Sequence, residues 1–415
     1  MIALAKYSST MSSPYFFLRP VLASDNAWCA FDWQTNDPLS CPPGDLLHVI
    51  NAAALKPLAD AHPLIAQVST QAIADDALVS ALDPRQVVFI LPESALDNAN
   101  TLQRCKALRD RGYRIGLHVT SAAPLHRIPL AGFDHLSCTG ANVRQEFSGS
   151  DLRYVGDAGF RRIATAIGSY EMHDWMLGNG FEWFDSHFLA ARNPHLGNTP
   201  DMTRLKLLRL LNIVRNDGDT REIEAIFREE PKLSYNLLRL VNSVAVGART
   251  HITSFSQAIA ILGRRQLQRW LQLLVYANHL AEGSAPNPLM QLAAARGRQM
   301  ELLCLALDPK PQIEELCEGA YMTGLFSLLE VLINLPMSEI VKELPLQDPV
   351  LEALESPGKG GQLAQLLGAI TAGEAGQFAQ AAEIFTSLGI TSEKHAKAQG
   401  AAMLWASHID RLTAE

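Results

Sequence analysis

Short apolar runs alternate with amphipathic stretches from about Tyr15 to Pro194, and this alternation restricts the fold more than any other feature of the chain. Tyr15 to Leu18, Leu64 to Val68, Val87 to Leu91 and Ile115 to Leu117 are short, apolar and rich in Val, Ile, Leu and Phe, which predicts buried strands. Between two of them, Leu96 to Arg111 places Leu102, Cys105 and Leu108 on one side of a helix. Strands separated by helices are not joined by hairpins. They pair in parallel, as a sheet or barrel with the helices outside.

The pattern changes after the turn-forming segment Asn193 to Asp201, NPHLGNTPD, the natural boundary between residues 1–195 and 196–415. Met202 to Asn216 is an amphipathic helix with Leu207, Leu208, Leu211 and Val214 on its buried side. Pro231 to Tyr276 then reads as three helices. The first buries Leu233, Leu237, Leu238, Leu240, Val241 and Val244. The second opens on a Ser254/Gln257 capping box and closes at Gly263, and the third buries Leu267, Trp270, Leu271, Leu274 and Val275. Such short helices gain stability only by packing on one another. Leu289 to Leu307 and a helical tail, divided at Pro349, Pro357-Gly358 and Gly389, complete an all-helical second half.

With 48% hydrophobic and 19% charged residues, the 415-residue chain has the composition of a folded soluble protein with two or three cores. No signal peptide or spanning segment is evident near the N-terminus, so a cytoplasmic location is expected. The six cysteines contain no C-x-x-C pair, which argues against a zinc knuckle or disulfide scaffold. A net charge of −8 makes direct nucleic-acid binding unexpected. Charge is nevertheless uneven: Asp201 to Leu280 carries 12 Lys and Arg against 7 Asp and Glu. Arg239, Arg264, Arg265 and Arg269 in this part form a candidate partner-binding surface. Walker A, G-x-S-x-G, H-E-x-x-H and G-x-G-x-x-G patterns are all missing from the sequence.

Two resemblances sharpen the picture. Pro231, Leu233, Ser234, Leu237, the run Leu240-Val241-Asn242-Ser243, Ile252, Ser254, Ala258, Ile259, Leu262 and Gly263 resemble the signature of the HDOD domain. This is a helical signalling module related to the HD phosphohydrolases but without their metal ligands. In the first half, Phe17-Leu18-Arg19-Pro20-Val21 with Ala30-Phe31-Asp32-Trp33, Gly112 to Leu117, and Gly180-Phe181-Glu182-Trp183-Phe184 resemble the strands of an EAL domain. Active members of that family hydrolyse cyclic di-GMP in a barrel holding two metal ions.

Carried over residue by residue, the EAL resemblance implies a degenerate site. The E-A-L glutamate falls on Asp32, the strand asparagine on Gln67 and the next ligand glutamate on Ile90. The aspartate pair falls on His118 and Val119, the catalytic lysine on Ser137, and the later glutamates on Ile167 and Tyr170. Asp185-Ser186 stands where a Gln-Gly pair closes the family's site. Hard divalent ions need a cage of oxygen ligands to activate a bridging water, and this set lacks it. The HD ligand positions fall on Arg296, Ser327 and Leu328, again without metal ligands. His173-Asp174 reads as a surface or capping pair, and His408 and Asp410 as solvated.

These observations predict an EAL-like βα barrel followed by an all-helical HDOD domain, with no catalytic residues, metal or cofactor. The protein is expected to act in a cyclic-di-GMP-related, motility, biofilm or stress pathway by binding other signalling proteins, away from membranes. Cyclic di-GMP binding is not expected. Two alternatives stay open: a sensor that binds the nucleotide in the barrel without hydrolysing it, and a metal-dependent phosphohydrolase with a rearranged site at His118, Asp32 and Glu93.

Overall fold

The computed structural model describes residues 14–35, 41–52, 55–194, 208, 211, 268–269, 272, 288–307, 314–344 and 346–408. Most of the stretch from Pro231 to Tyr276 lies outside them.

The first half is a closed eight-stranded barrel with its strands in sequence order. They are β1 (Phe16–Ala23), β2 (Trp28–Thr35), β3 (Leu64–Gln67), β4 (Val87–Pro92), β5 (Arg114–Val119), β6 (His135–Thr139), β7 (Arg161–Thr165) and β8 (Trp183–Asp185). β1 runs antiparallel to both neighbours, whereas β2 to β8 pair in parallel. Helices α1 (Pro43–Ala52), α2 (Leu55–Ala61), α3 (Asp76–Ser80), α4 (Ala99–Asp110), α5 (Gly140–Glu146), α6 (Gly149–Asp157) and α7 (Tyr170–Gly178) connect the strands. The predicted helix from Leu96 is shorter than expected. Glu93–Asp97 is a 3-10 turn, and the Asn98 side chain caps α4 by accepting from the Asn100 and Thr101 amides.

Alternate strand residues point into the barrel, and they fall in two layers. Val21, Ala30, Ile65, Val88, Ile90, Ile163 and Trp183 form a separate apolar cluster that fills the lower layer. Gly116 makes this packing possible, since a Cβ there would lie 2.4 Å from Ile90 Cδ1 and 2.9 Å from His135 Cβ. Above them, toward the end where β2 to β8 finish, the inward positions are polar except on β4, where Pro92 follows Ile90.

Among the described residues, the second half is entirely helical. It contains α8 (Pro288–Ala306), α9 (Glu314–Phe326), α10 (Leu329–Ile333), α11 (Met337–Ile340), α12 (Asp348–Glu355), α13 (Gln362–Glu374), α14 (Phe378–Ser387) and α15 (Ser392–His408). Leu208 and Leu211 are helical and buried, as the stripe from Met202 predicts. α8 and α9 approach closely at two glycines. A Cβ on Gly324 would lie 2.6 Å from the Arg296 carbonyl, and one on Gly297 would lie 2.9 Å from that of Tyr321. Pro349 marks a helix boundary in the tail, as expected, by starting a helix. It occupies the first turn of α12, where its missing N–H costs nothing.

The two halves share one hydrophobic core, because the tail helices cover the start of β1. β1 pairs with β8 only through Val21, Leu22 and Ala23, so its N-terminal half has a free edge on that side. Gln399 of α15 closes that edge. Its Oε1 accepts from the Leu18 amide at 2.9 Å and its Nε2 donates to the Leu18 carbonyl at 3.2 Å. Beside it, the Phe17 ring stacks on Phe378 at 4.8 Å, and the buried His395 ring sits among Tyr15, Phe17 and Phe385. No helix among the described residues is long and apolar enough to cross a membrane.

Candidate functional site at the barrel mouth

The strands deliver their polar inward residues to the end of the barrel where β2 to β8 finish, the end at which βα barrels place their chemistry. A cavity of about 480 Å³ opens there, lined by Arg19, Gln67, His118, Thr139, Thr165 and Asp185 among others. Its roof comes from the tail: Ala375, Gly376 and Phe378 close over it.

A buried charge cluster forms the floor. Arg19 and Asp32 are register partners across β1 and β2, and Arg19 Nη2 donates to Asp32 Oδ2. Gln34 Nε2 donates to the same carboxylate oxygen at 3.0 Å. Burial opposes the charge on Arg19, but Asp32 and Asp185 hold its affinity for the proton above the ordinary guanidinium value. The Arg19 guanidinium also faces the Phe378 ring of the roof, 5.3 Å from its centroid. Asp185 accepts from the Ala166 amide and, at 3.2 Å, from the Ile167 amide. This holds Ala166 in the left-handed region at φ 54°. Burial raises the Asp185 pKa, Arg19 lowers it and Asp32 raises it further.

The sequence-predicted positions separate into three groups. Asp32, Gln67, His118 and Ser137 belong to the mouth: His118 Nδ1 is 3.1 Å from Ser137 Oγ, and burial lowers the His118 pKa against the pull of Asp32 and Glu93. Ile90 and Val119 are core residues, the first inside the barrel and the second on the opposite strand face from His118. Ile167 and Tyr170 follow β7. Ile167 is buried, and Tyr170 packs edge-on against Phe188, with its phenol pushed up to about 12 by burial. No group of three or more His, Cys, Asp or Glu side chains able to hold a metal ion occurs among the described residues.

The HD-related positions also come together. Arg296 is buried, donates from Nε to Glu374 Oε1 at 3.1 Å and from Nη2 to the second oxygen, and donates from Nη1 to Ser327 Oγ at 2.6 Å. Leu328 joins Arg296 and Ser327 along a second cavity of about 830 Å³. A guanidinium paired to a carboxylate therefore stands where the resemblance places metal ligands. Arg269 is half-buried, paired with Glu301 and 5.0 Å from the Tyr321 ring, so it is engaged in the fold. Arg239, Arg264 and Arg265 lie outside the described residues.

His173 corrects the sequence reading. It is buried, stacked on Phe188 at 4.4 Å and close to Phe184, because α7 turns this face onto the end of β8. His408 is exposed, and Asp410 lies outside the described residues. Sequence reasoning missed Thr139, Thr165 and the roof residues. Only Gly376, a helix-ending glycine in the tail, offered a signal for the roof.

The fold is a closed eight-stranded βα barrel with a polar mouth, followed by a helical half. Residues 199–343 match the HDOD domain family. The cyclic di-GMP phosphodiesterase CdgJ of Vibrio cholerae is 26% identical over 345 residues, covering 80% of this chain and 76% of that protein. The uncharacterized protein YuxH of Bacillus subtilis is 24% identical over 299 residues, covering 69% and 70%. Among solved structures, the Xanthomonas citri FimX EAL domain in complex with c-diGMP is similar at 13% identity and a TM-score of 0.34, covering 43% of this chain and 87% of that one. The PaMucR phosphodiesterase in its c-di-GMP complex gives 13% and 0.33, covering 42% and 93%.

Proposed function

We propose that this chain is a non-catalytic signalling protein in a cyclic-di-GMP-related pathway, acting through contacts with other proteins made by its two halves, residues 1–195 and 196–415. The observation that carries this reading is the commitment of Asp32. Its carboxylate is already paired with the buried Arg19 guanidinium and hydrogen-bonded to Gln34, so a fixed cation stands beside the carboxylate on which metal binding would depend. The second mouth carboxylate, Asp185, is taken up by the Ala166 and Ile167 amides and shares Arg19, and Gln67, His118, Ser137 and the hydroxyls of Thr139 and Thr165 are neutral groups that do not complete a carboxylate cage. At the HD-related positions the Arg296–Glu374 pair has the same effect. Fold and chemistry are separable in this way because a reaction depends on a few side chains while packing depends on many. Arg239, Arg264 and Arg265 remain the proposed partner-facing cations.

Nucleotide binding without turnover is the second reading, favoured by the persistence of a 480 Å³ cavity with a buried arginine in its wall. Electrostatics weigh against it, since a dianionic ligand would meet Asp32 and Asp185 at the floor, and Arg19 is shared between them. Calorimetry of the full chain with cyclic di-GMP and Mg²⁺ or Mn²⁺, followed by analysis for linear product, separates the readings. Absence of heat and product agrees with the protein-binding reading. Saturable heat without product makes the barrel a sensor, and product that disappears in Asp32→Asn makes it an enzyme.

A further inference from the structure

One short turn forms part of the wall of both cavities. Ala375, Gly376 and Phe378 line the barrel-mouth cavity, whereas Glu374, Ala375 and Gln377 line the 830 Å³ cavity that also contains Arg296 and Ser327. The turn is stiff. α13 ends in a Schellman arrangement in which the Gln377 amide donates to the Ala372 carbonyl at 2.8 Å and the Gly376 amide to that of Gly373 at 3.1 Å. Gly376 adopts φ 78°, a value that glycine takes without strain.

Both faces of this turn are pinned. On the helical side, the buried Arg296 grips Glu374 through two nitrogens and holds Ser327 with a third. On the barrel side, Phe378 stacks on Phe17 and presents its ring face to Arg19, which is itself tied to Asp32. A Cβ at Gly373 would come within 2.9 Å of the Phe17 ring, so the end of α13 also seats directly on β1. A continuous series of contacts thus runs from Ser327 through Arg296, Glu374, the turn, Phe378 and Arg19 to Asp32. A wall shared by two cavities and close-packed on both faces is the kind of contiguous network through which coupling can travel.

We infer that the Glu374–Phe378 turn couples the two cavities, so that a change in the packing or filling of one is transmitted to the other. This goes beyond the proposed signalling role, since it would hold whichever partner or ligand the protein takes. The test is hydrogen exchange of the full chain, read across the wall. Glu374→Gln removes the ionic grip on the helical side, and its effect is read in peptides covering residues 16–21 and 164–169 of the barrel. Phe378→Leu removes the aromatic stack on the barrel side, and its effect is read in residues 320–331.

Each variant should raise exchange on the far side at least threefold. Arg127→Ala, which removes an exposed ion pair with Asp97 away from both cavities, should leave both sets of peptides unchanged. A turn that couples the cavities transmits from either face, so a far-side response in one direction only overturns the inference. A response confined to the near side overturns it as well. So does a uniform rise that includes α4 on the outside of the barrel, because it reports general loosening. Should Glu374→Gln not fold, Glu374→Asp, which shortens the grip but keeps the charge, is read in the same barrel peptides against the same threefold threshold.

Discussion

Acid should weaken the junction between the two halves through one buried histidine. His395 on α15 is enclosed by the rings of Tyr15, Phe17 and Phe385 at 4.4 to 5.9 Å, and burial pushes its imidazole down from the ordinary 6.5 to about 3. The folded chain therefore refuses a proton that the unfolded chain accepts, and stability falls as pH drops below 6.5, with no further loss below about pH 3. From pH 7.5 to 5.0 the unfolded-state histidine goes from almost wholly neutral to almost wholly protonated, while His395 stays neutral. The difference corresponds to about 1.5 pK units, or about 2 kcal/mol of stability lost. His395→Gln removes the titration. At pH 7.5 it should be less stable than the parent by about 1–3 kcal/mol through lost ring packing, and that gap should narrow by about 2 kcal/mol at pH 5.0. Urea unfolding at both pH values, followed in parallel by tryptophan fluorescence and far-ultraviolet circular dichroism, measures the gap. Parallel pH profiles for the two proteins would refute the reasoning.

Other substitutions probe the barrel floor and the helix contacts. Arg19→Met leaves Asp32 and Asp185 buried without their cation and should cost about 3–5 kcal/mol in urea unfolding, with part of the loss recovered in the Arg19→Met/Asp32→Asn double variant. Gln399→Ala strips the Leu18 amide and carbonyl of their side-chain partners, for an expected cost of about 1–3 kcal/mol and faster amide exchange at Leu18. Gly324→Ala forces a methyl group against the Arg296 carbonyl and should destabilise by about 1–3 kcal/mol, seen as a lower thermal midpoint. The Cys29 thiol, pushed up to about 12 mainly by burial, should react with a disulfide reagent at pH 8 about a thousandfold more slowly than an unstructured cysteine.

How much was legible in the sequence varied from strand to strand. β3 and β4 announce themselves because both faces are apolar along most of their length, and β5 because Ile115, Leu117 and Val119 keep one face apolar. β6 and β7, His135–Thr139 and Arg161–Thr165, went unread because their inward positions supply Ser137, Thr139 and Thr165 to the polar mouth, which breaks the apolar run. Asp32, Gln67, His118 and Ser137 were placed at one site by resemblance, and the barrel does bring them to one end. The partnership of Arg19 with Asp32 depends on the β1–β2 register, and no local pattern encodes it. His173 was misread for a related reason. A histidine beside an aspartate has the composition of a surface pair, and only the seating of α7 against Phe184 and Phe188 buries it.

By itself the sequence determined the division into a βα half and a helical half. This is a property of residue type and short-range periodicity, which are written locally in the chain. The tertiary structure alone decided that the tail helices close the free edge of β1, that Gly376 and Phe378 roof a cavity whose other walls lie up to 359 residues earlier at Arg19, and that one turn serves two cavities. Those relations arise when separately patterned elements bury their apolar faces against each other. Which faces meet is set by the packing of the whole chain.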